Sequence, residues 1–249
     1  MLDLLRRTLA VSLAAAALAG CAALPASNPN ALWEIVDGQC VPSQKANGTP
    51  GNCTLVNLAK HYAILKDIFG HTQYLLIPTD RISGIESPLI LAPDAQDYWV
   101  DAWEARRFTE QRAKKTMPDN QLGLEINAKA RRSQSQLHIH IDCMRPDVIG
   151  ILAPHRGDVL GQWQWLTLDG ERYRVMRVAN LEGENNPFRV VARDQQGSAA
   201  MAQQTILVTG TGETNKDGWL IVNSGLNIEN GSGNAERLLD HECRIAQHN

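Results

Sequence analysis

Short apolar runs bounded by Gly, Pro and Asn recur along the chain and predict β-strands. In the first half they are residues 62–67 (YAILKD), 73–78 (QYLLIP), 122–127 (LGLEIN) and 136–142 (QLHIHID). In the second half they are residues 172–178 (RYRVMRV), 187–192 (PFRVVA) and 219–223 (WLIVN). The first two runs are close enough in sequence to form a hairpin.

Longer segments with helical periodicity predict helices between these strands. Residues 95–114 place Trp99, Trp103 and Phe108 on the side expected to be buried. Residues 31–37 form a shorter helix candidate at the start, and residues 197–207 are helix-like in the second half. This mixture predicts an α+β fold, in which helices flank an antiparallel sheet.

The two halves of the chain order their elements in a similar way. In the first half, the run LEIN is followed by a turn and by the histidine-containing run that ends at Cys143. In the second half, the run LIVN is followed by a turn and by the segment ERLLDHEC, which ends at Cys243. We therefore predict a diverged two-copy arrangement in one continuous sheet, with halves at about residues 36–155 and 156–249. The second copy lacks the histidines, and the expected state is a monomer with an internal pseudo-dimer.

One predicted strand carries reactive side chains. Its polar positions alternate with Leu137, Ile139 and Ile141, and they are Gln136, His138, His140 and Asp142. Because alternate side chains of a strand share a face, the apolar set should pack inward while the polar set faces a cleft or solvent. A phosphate-transfer site, a metal site and a wet sheet face all fit this row.

Composition and charge narrow the class of protein. The 249 residues suffice for one large domain or two small ones. The formal net charge is −3, and charged residues make up 20% of the chain without a long run of one sign. A general nucleic-acid binder is therefore not expected.

Residues 1–20 have the features of an export signal. Arg6 and Arg7 precede an apolar run at residues 9–18, and Leu-Ala-Gly-Cys follows at residues 18–21. The run is shorter than the roughly 20 residues that span a bilayer. Leu-Ala-Gly-Cys resembles the bacterial lipobox, which implies a lipoprotein with lipid on Cys21 and a tether over residues 21–35. An ordinary cleaved signal peptide is the alternative.

Export changes the interpretation of the other cysteines, because disulfides persist in oxidising compartments. Cys40, Cys53, Cys143 and Cys243 allow three pairings. Cys40 and Cys53 bracket a loop rich in Pro, Gly and Asn, so we expect them to pair, which leaves Cys143 for Cys243. A zinc cluster is the competing interpretation, but no Cys-x-x-Cys spacing supports it.

The histidine row resembles a known phosphate-transfer motif. A neutral imidazole can attack phosphorus and form a covalent intermediate. Gln136-Leu-His138-Ile-His140-Ile resembles the histidine-triad pattern with its first histidine changed to Gln. Over about residues 36–245, the chain further resembles the bacterial CDP-diacylglycerol pyrophosphatase family within that superfamily. The residues that carry this second resemblance include HIHI, RPDV at residues 145–148, and the spaced cysteines.

The resemblance implies hydrolysis of CDP-diacylglycerol to CMP and phosphatidate through a nucleotidyl-histidine intermediate. His138 would be the nucleophile and His140 its assistant, while Gln136 can hydrogen-bond but cannot carry positive charge. The candidates for substrate binding are Lys66, Asn127, Ser133 and Gln136. No metal or other cofactor is implied. The domain would face the periplasm from the cell envelope, with the inner membrane favoured because the substrate is made there.

Two other classes of function remain open. His138-x-His140-x-Asp142 also resembles the first ligands of a zinc hydrolase, although Cys143 stands where that pattern has a further histidine. A non-enzymatic lipoprotein with a polar sheet face is the third class. Among the individual residues, His241 beside Cys243 is interpreted as structural. The alternative to substrate binding is a solvent-exposed strand end for Lys66 and a turn-forming role for Ser133.

Overall fold

One antiparallel sheet of nine strands forms the centre of the fold. It is seen in a computed structural model that describes residues 28–195, 198–212, 214, 217–226 and 232–247. The strands are β1 Leu55–Asn57, β2 Tyr62–Lys66, β3 Tyr74–Pro78, β4 Leu122–Ile126, β5 Ile139–Cys143, β6 Trp163–Leu168, β7 Glu171–Val178, β8 Gln204–Gly210 and β9 Trp219–Gly225. The predicted signal peptide and Cys21 lie outside the described residues.

Helices cover both faces of this sheet. The α-helices are α1 Ala31–Ile35, α2 Val41–Asn47, α3 Tyr98–Ala113, α4 Pro146–Leu152, α5 Pro187–Ala192, α6 Ser198–Met201 and α7 Arg244–Gln247. A π-helical turn, Val36–Cys40, joins α1 to α2. Short 3-10 helices are Pro88–Leu91, Asp119–Gln121, Lys129–Arg131, Ala153–Gly157, Gly183–Asn185 and Ala235–Leu238. Across the described ranges, no helix has the length and apolar character needed to cross a bilayer.

Apart from the edge strand β1, the strand order is symmetrical about the central β4–β8 pair. Across the sheet it runs β1-β2-β3-β5-β4-β8-β9-β7-β6. Hairpins β4–β5 and β8–β9 meet in the middle, and hairpins β2–β3 and β6–β7 lie outside them. The prediction of one continuous α+β sheet is therefore confirmed.

The two faces of the sheet pack differently. On one face, Leu76, Ile139, Leu124 and Val208 join Trp99 of α3 in the largest apolar cluster. On the other face, two smaller clusters lie apart, one under α1 and α2 and one under α4 and the 3-10 helix Ala235–Leu238. The functional residues described below lie between these two clusters.

Two secondary-structure predictions in the second half are wrong. Residues 187–192 form α5 rather than a strand, because Asn186 accepts a hydrogen bond from the Phe188 amide and Pro187 occupies the first turn. Residues 197–207 are not one helix, because only Ser198–Met201 is helical. Ile206 belongs to β8, which pairs with β4 in the sheet centre, so tertiary packing decides its conformation.

The predicted correspondence between the two halves also needs correction. The prediction makes LIVN the counterpart of LEIN, which lies in β4. In the structure LIVN lies in β9, and β9 is beside β8 as β5 is beside β4, so its counterpart in the first half is β5. ERLLDHEC is not a second histidine-type strand, because its beginning lies in the 3-10 helix Ala235–Leu238.

The N-terminal boundary and the first cysteine loop differ from expectation too. Helix α1 packs Leu32 and Ile35 against the core, so the folded region begins before residue 36. The segment between Cys40 and Cys53 contains α2 and is not all loop, because Pro42 sits in the first turn, where its missing amide hydrogen is tolerated. Both predicted disulfides, Cys40–Cys53 and Cys143–Cys243, are present in the structure.

Candidate active site

His140 and Glu125 face each other in the middle of the sheet. They are paired across β5 and β4, and Leu75 of β3 is the neighbour of His140 on the other side. Strand β5 begins at Ile139, so His138 lies just before it and not within a strand that starts at residue 136. The two imidazole rings are nevertheless close, with centroids 5.0 Å apart.

His138 is oriented by the backbone. Its Nδ1 lies 2.7 Å from the carbonyl oxygen of Gln136. Because a carbonyl only accepts hydrogen bonds, Nδ1 must carry the proton, which leaves the lone pair on Nε2. Burial lowers the pKa of His138, so the ring is neutral at physiological pH.

His140 has the opposite proton arrangement. The side-chain amide of Gln73 donates to its Nδ1 at 2.6 Å, so the imidazole proton is on Nε2. That Nε2 is buried and has no hydrogen-bond partner among the described residues. Burial lowers the pKa of His140, against the opposing effect of the Glu236 carboxylate.

Glu236 connects the histidines to the C-terminal segment. One carboxylate oxygen lies 3.4 Å from Nδ1 of His140, and the other accepts from the Asn127 amide at 2.9 Å. His241 Nε2 lies 3.6 Å from the first oxygen. Burial acts to raise the pKa of Glu236, but His140, Asn127 and His241 outweigh it and hold the pKa below its ordinary value. The carboxylate is therefore negatively charged beside His140.

Asp142 anchors this segment and does not line the cavity described below. Its Oδ1 accepts from the Thr72 hydroxyl at 2.6 Å and from the Cys143 amide at 2.9 Å. Its Oδ2 lies 3.0 Å from Nδ1 of His241, and this hydrogen bond raises the pKa of His241. The Cys143–Cys243 disulfide ties the same two segments together, which fits the structural interpretation of His241.

Gln136 is also a structural anchor. Its amide donates to the carbonyl oxygens of Pro78 and Asp80, at 3.1 and 2.8 Å. The predicted row of four polar side chains on one open face is therefore wrong. Only its two histidines line the cavity described next, since Gln136 and Asp142 are absent from the lining.

A cavity of about 300 Å³ opens onto the histidines. Among the residues predicted from the sequence, its lining includes His138, His140, Asn127 and Ser133. Lys66 also lines it, but its ammonium group donates to the carbonyl oxygens of Asp67 and Gly70, at 2.7 and 3.0 Å. Burial lowers the pKa of Lys66.

Arg132 provides a fixed positive charge at the cavity wall. Its guanidinium makes two hydrogen bonds to the Glu86 carboxylate, at 2.6 and 2.7 Å. Burial acts to raise the pKa of Glu86, but the hydrogen bonds and charge of Arg132 outweigh it and lower the pKa to about 2. The pair is therefore ionised over the physiological range.

A possible metal-binding group includes different residues from those expected. Donor atoms of Glu125, His140 and Glu236 lie within 4.8 Å of one another, and the side chains of the first two are fully or almost fully buried. Burial raises the pKa of Glu125 well above its ordinary value, which favours the neutral acid when no cation is bound. The zinc interpretation of the sequence required Asp142, whose oxygens are engaged elsewhere.

Sequence reasoning missed several residues of this site. Glu125 had a local signal, since it is the one charged residue in an apolar strand run. Gln73, Glu236 and Arg132 had none, because the contacts that make them important join segments far apart in sequence.

The geometry defines a class of protein, and comparison with known proteins specifies the family. Two neutral imidazoles, a carboxylate and a fixed cation around one cavity are suited to hydrolysis at phosphorus. A model of the CDP-diacylglycerol pyrophosphatase family matches residues 27–247. A relative from Yersinia pestis named CDP-diacylglycerol pyrophosphatase is 38% identical over 226 residues, which cover 89% of this chain and 87% of the relative. This chain therefore belongs to the CDP-diacylglycerol pyrophosphatase family and is a hydrolase.

Proposed function

We propose that the chain hydrolyses CDP-diacylglycerol to CMP and phosphatidate with His138 as the nucleophile. The observation that carries this mechanism is the hydrogen bond from His138 Nδ1 to the Gln136 carbonyl, which leaves Nε2 free to attack. Nε2 would form a bond to the phosphorus on the cytidine side, and the bond to the phosphatidate oxygen would break. Water would then cleave the nitrogen–phosphorus bond and release CMP.

His140 and the charges around it would stabilise this reaction. Its Nε2–H can donate to a phosphate oxygen or to the departing oxygen, while the Gln73 amide holds Nδ1. Arg132 can donate its remaining guanidinium N–H groups to the pyrophosphate, although Glu86 balances its charge. Asn127, Ser133 and Lys66 line the same cavity and would contact the substrate, with Lys66 using the third hydrogen of its ammonium group, which its two loop carbonyls do not engage.

A histidine-triad-like origin by duplication fits the topology. The symmetrical strand order about β4 and β8 is what two joined copies of a β-hairpin, helix and β-hairpin unit would produce. In this proposal the first half keeps the catalytic histidines and the second half serves as an internal partner in a monomer.

The central test is detection of the covalent intermediate. Mass spectrometry of the protein mixed with CDP-diacylglycerol should show an adduct of the mass of CMP, mapped to a peptide that contains His138. The adduct should be absent from His138→Ala. Turnover without any adduct after rapid quenching in alkaline denaturant, where the nitrogen–phosphorus bond survives, would contradict the nucleophilic mechanism.

Metal-assisted hydrolysis is the second candidate, because Glu125, His140 and Glu236 converge. Under the histidine mechanism, EDTA should leave the rate unchanged. If EDTA abolishes turnover and zinc restores it, the metal mechanism replaces the histidine mechanism.

We also propose that lipid on Cys21 anchors the enzyme in the bacterial envelope with its domain in the periplasm, most simply at the inner membrane that contains the substrate. More than one acyl chain is needed for stable anchoring, and bacterial lipoproteins carry several. Cys21→Ala should abolish labelling by radioactive palmitate and leave activity in detergent largely intact. A normally processed variant that stays membrane-bound would contradict the anchor.

A further inference from the structure

The cavity that contains the histidines has one apolar wall. Leu32 and Ile35 of α1 contribute to it, together with Leu75 of the sheet. Ile68 and Phe69, from the turn between β2 and β3, complete the wall toward solvent. Because the rest of the lining is polar and charged, the cavity suits an amphiphilic ligand with its phosphates at the histidines and its apolar part toward the turn.

The tip of this turn is apolar and exposed to solvent. Ile68 is 89% and Phe69 70% exposed, the two highest values among the large apolar side chains that the structure describes. Adjacent exposed apolar residues at the tip of a turn indicate a contact surface for a partner or a bilayer.

The turn is held in place. The Lys66 ammonium donates to the carbonyl oxygens of Asp67 and Gly70, and the Asp67 carboxylate accepts from the Phe69 amide at 3.0 Å. Gly70 has a φ of 67°, and a Cβ there would lie 2.7 Å from Cβ of His241. The exposure of Ile68 and Phe69 is therefore a feature of a braced turn, packed against the active-site segment.

Its surroundings favour a bilayer as the partner. Arg112 donates to the carbonyl oxygen of His71 at the base of the turn, and Arg131 lines the cavity. Guanidinium groups beside an apolar tip attract anionic lipid headgroups.

The position of Asn28, where the described residues begin, points to the same partner. Asn28 accepts a hydrogen bond at its carbonyl from Gln134, a cavity residue. Cys21 is seven positions earlier in the sequence, and such a segment spans at most about 25 Å. A lipid on Cys21 would therefore keep this side of the molecule near the membrane.

We propose that residues 67–73 form a membrane-docking turn. Ile68 and Phe69 enter the interfacial region of the bilayer that contains the substrate. The glycerol side of a diacylglycerol lipid lies along the part of the apolar wall formed by α1 and Leu75, while its pyrophosphate reaches His138. This inference rests on the proposed function for the identity of the lipid.

The test compares one reaction in two physical states. CDP-dioleoylglycerol is presented in vesicles of phosphatidylcholine and phosphatidylglycerol, and CDP-dihexanoylglycerol is presented as a dissolved monomer. The docking variant is Ile68→Ser/Phe69→Ser. The matched control is Val159→Ser/Leu160→Ser, whose side chains are also exposed, at 64% and 50%, and precede β6 at the far edge of the sheet. All proteins carry Cys21→Ser, so that no acyl chain contributes.

The measured quantity is the ratio of kcat/KM for the vesicle substrate to kcat/KM for the monomeric substrate. In the docking variant this ratio should fall at least about tenfold, because returning even one apolar side chain from lipid to water changes an equilibrium by about that factor. In the control it should change by less than about twofold. A ratio that stays unchanged in the docking variant overturns the proposal, whether both values of kcat/KM are retained or both fall equally.

A second readout does not depend on catalysis. Brominated phosphatidylcholine quenches tryptophan within its acyl region, so Phe69→Trp should gain quenching that Leu160→Trp does not. Equal quenching overturns the proposal, and so does a dimer that the docking variant converts to monomer, since the patch would then join two copies of the chain. If the wild type cleaves neither substrate, the proposed function fails, and quenching still decides the docking.

Discussion

One row of neighbouring positions crosses the sheet, and it contains ionisable residues in the first half and only apolar residues in the second. Followed across the paired strands, the row is Leu75, His140, Glu125, Leu207, Val222 and Val175. All six residues are buried, but only the half that contains β4 and β5 places ionisable groups in the row.

The apolar members of the row show that the sheet does not need polar residues there. Leu207 and Val222 pack into a core cluster, which is favourable. Burial of Glu125 and His140 is unfavourable, and it shifts both pKa values toward the neutral forms. The polar pair is therefore explained by the chemistry of the cavity, and folding alone would favour the residues of the second half.

The second half has a cleft of its own, on the opposite face of the sheet. It measures about 240 Å³ and is lined by Arg172, Arg174 and Trp165, among others. Arg174 is paired with Asp194 and stacks on Trp163. No histidine contributes to its described lining, whereas His138 and His140 line the cavity of the first half.

The largest effect should come from removing the proposed nucleophile, which would leave the first half as unreactive as the second. His138→Ala should lower kcat by about 10⁴-fold or more and abolish the CMP adduct. The matched control is His155→Ala, whose histidine pairs with Asp158 outside the cavity and which should retain activity. Near-normal turnover by His138→Ala would show that another residue is the nucleophile.

A smaller effect is expected at His140, and Val222 in the same row provides the comparison. His140→Ala should lower kcat by about 10²–10⁴-fold, the usual cost of losing an assisting acid. Val222→Ala should instead lower the free energy of unfolding by about 2 kcal/mol and leave kcat of the folded enzyme unchanged. Steady-state kinetics with denaturant titrations separates the two, and equal effects on kcat would remove the functional distinction between the halves.

Glu236 should have an intermediate effect, because it acts through His140. Glu236→Gln should lower kcat about tenfold, the equivalent of losing about 1.4 kcal/mol of favourable charge interaction with the two histidines. A positioning role predicts that KM changes less than kcat. Glu242→Gln, at an exposed site in the same segment, is the control. A rise in KM alone would assign Glu236 to substrate binding.

Glu125 should affect stability more than rate. Because burial raises its folded-state pKa, wild-type stability should fall as pH rises from about 4.5 toward that pKa, by at most about 1.4 kcal/mol per pH unit. Glu125→Gln should remove this loss and be relatively more stable at neutral pH. Parallel stability–pH curves for the two proteins would show that Glu125 is ionised when folded.

The sequence predicted what depends on local pattern. The β2–β3 hairpin, α3 with its buried Trp99 and Trp103, and both disulfides follow from periodicity, turn residues and cysteine spacing. The conformation of residues 204–210 did not, because it is decided by pairing with β4 about eighty residues earlier.

The site divides in the same way. His138 and His140 were evident from the motif, but the separation of Gln136 and Asp142 from them was not. Both of those side chains turn toward backbone or side-chain partners from distant segments. A strand pattern indicates which residues share a face, and it cannot indicate which of them a neighbouring segment will engage.

The smallest expected effect is the response of the rate to pH, and it tests whether the polar half of the row is as buried as the structure shows. Burial lowers the pKa of His138 below its ordinary value of 6.5, so kcat/KM should change by less than about twofold between pH 8 and 6.5 and fall only at lower pH. Glu236 favours the charged forms of both histidines, so Glu236→Gln should shift this fall to still lower pH. The second half contributes no titrating group to the row, and the shift therefore belongs to the first half. A fall centred at pH 6.5 that Glu236→Gln leaves in place would mean that the histidines are as hydrated as free imidazole.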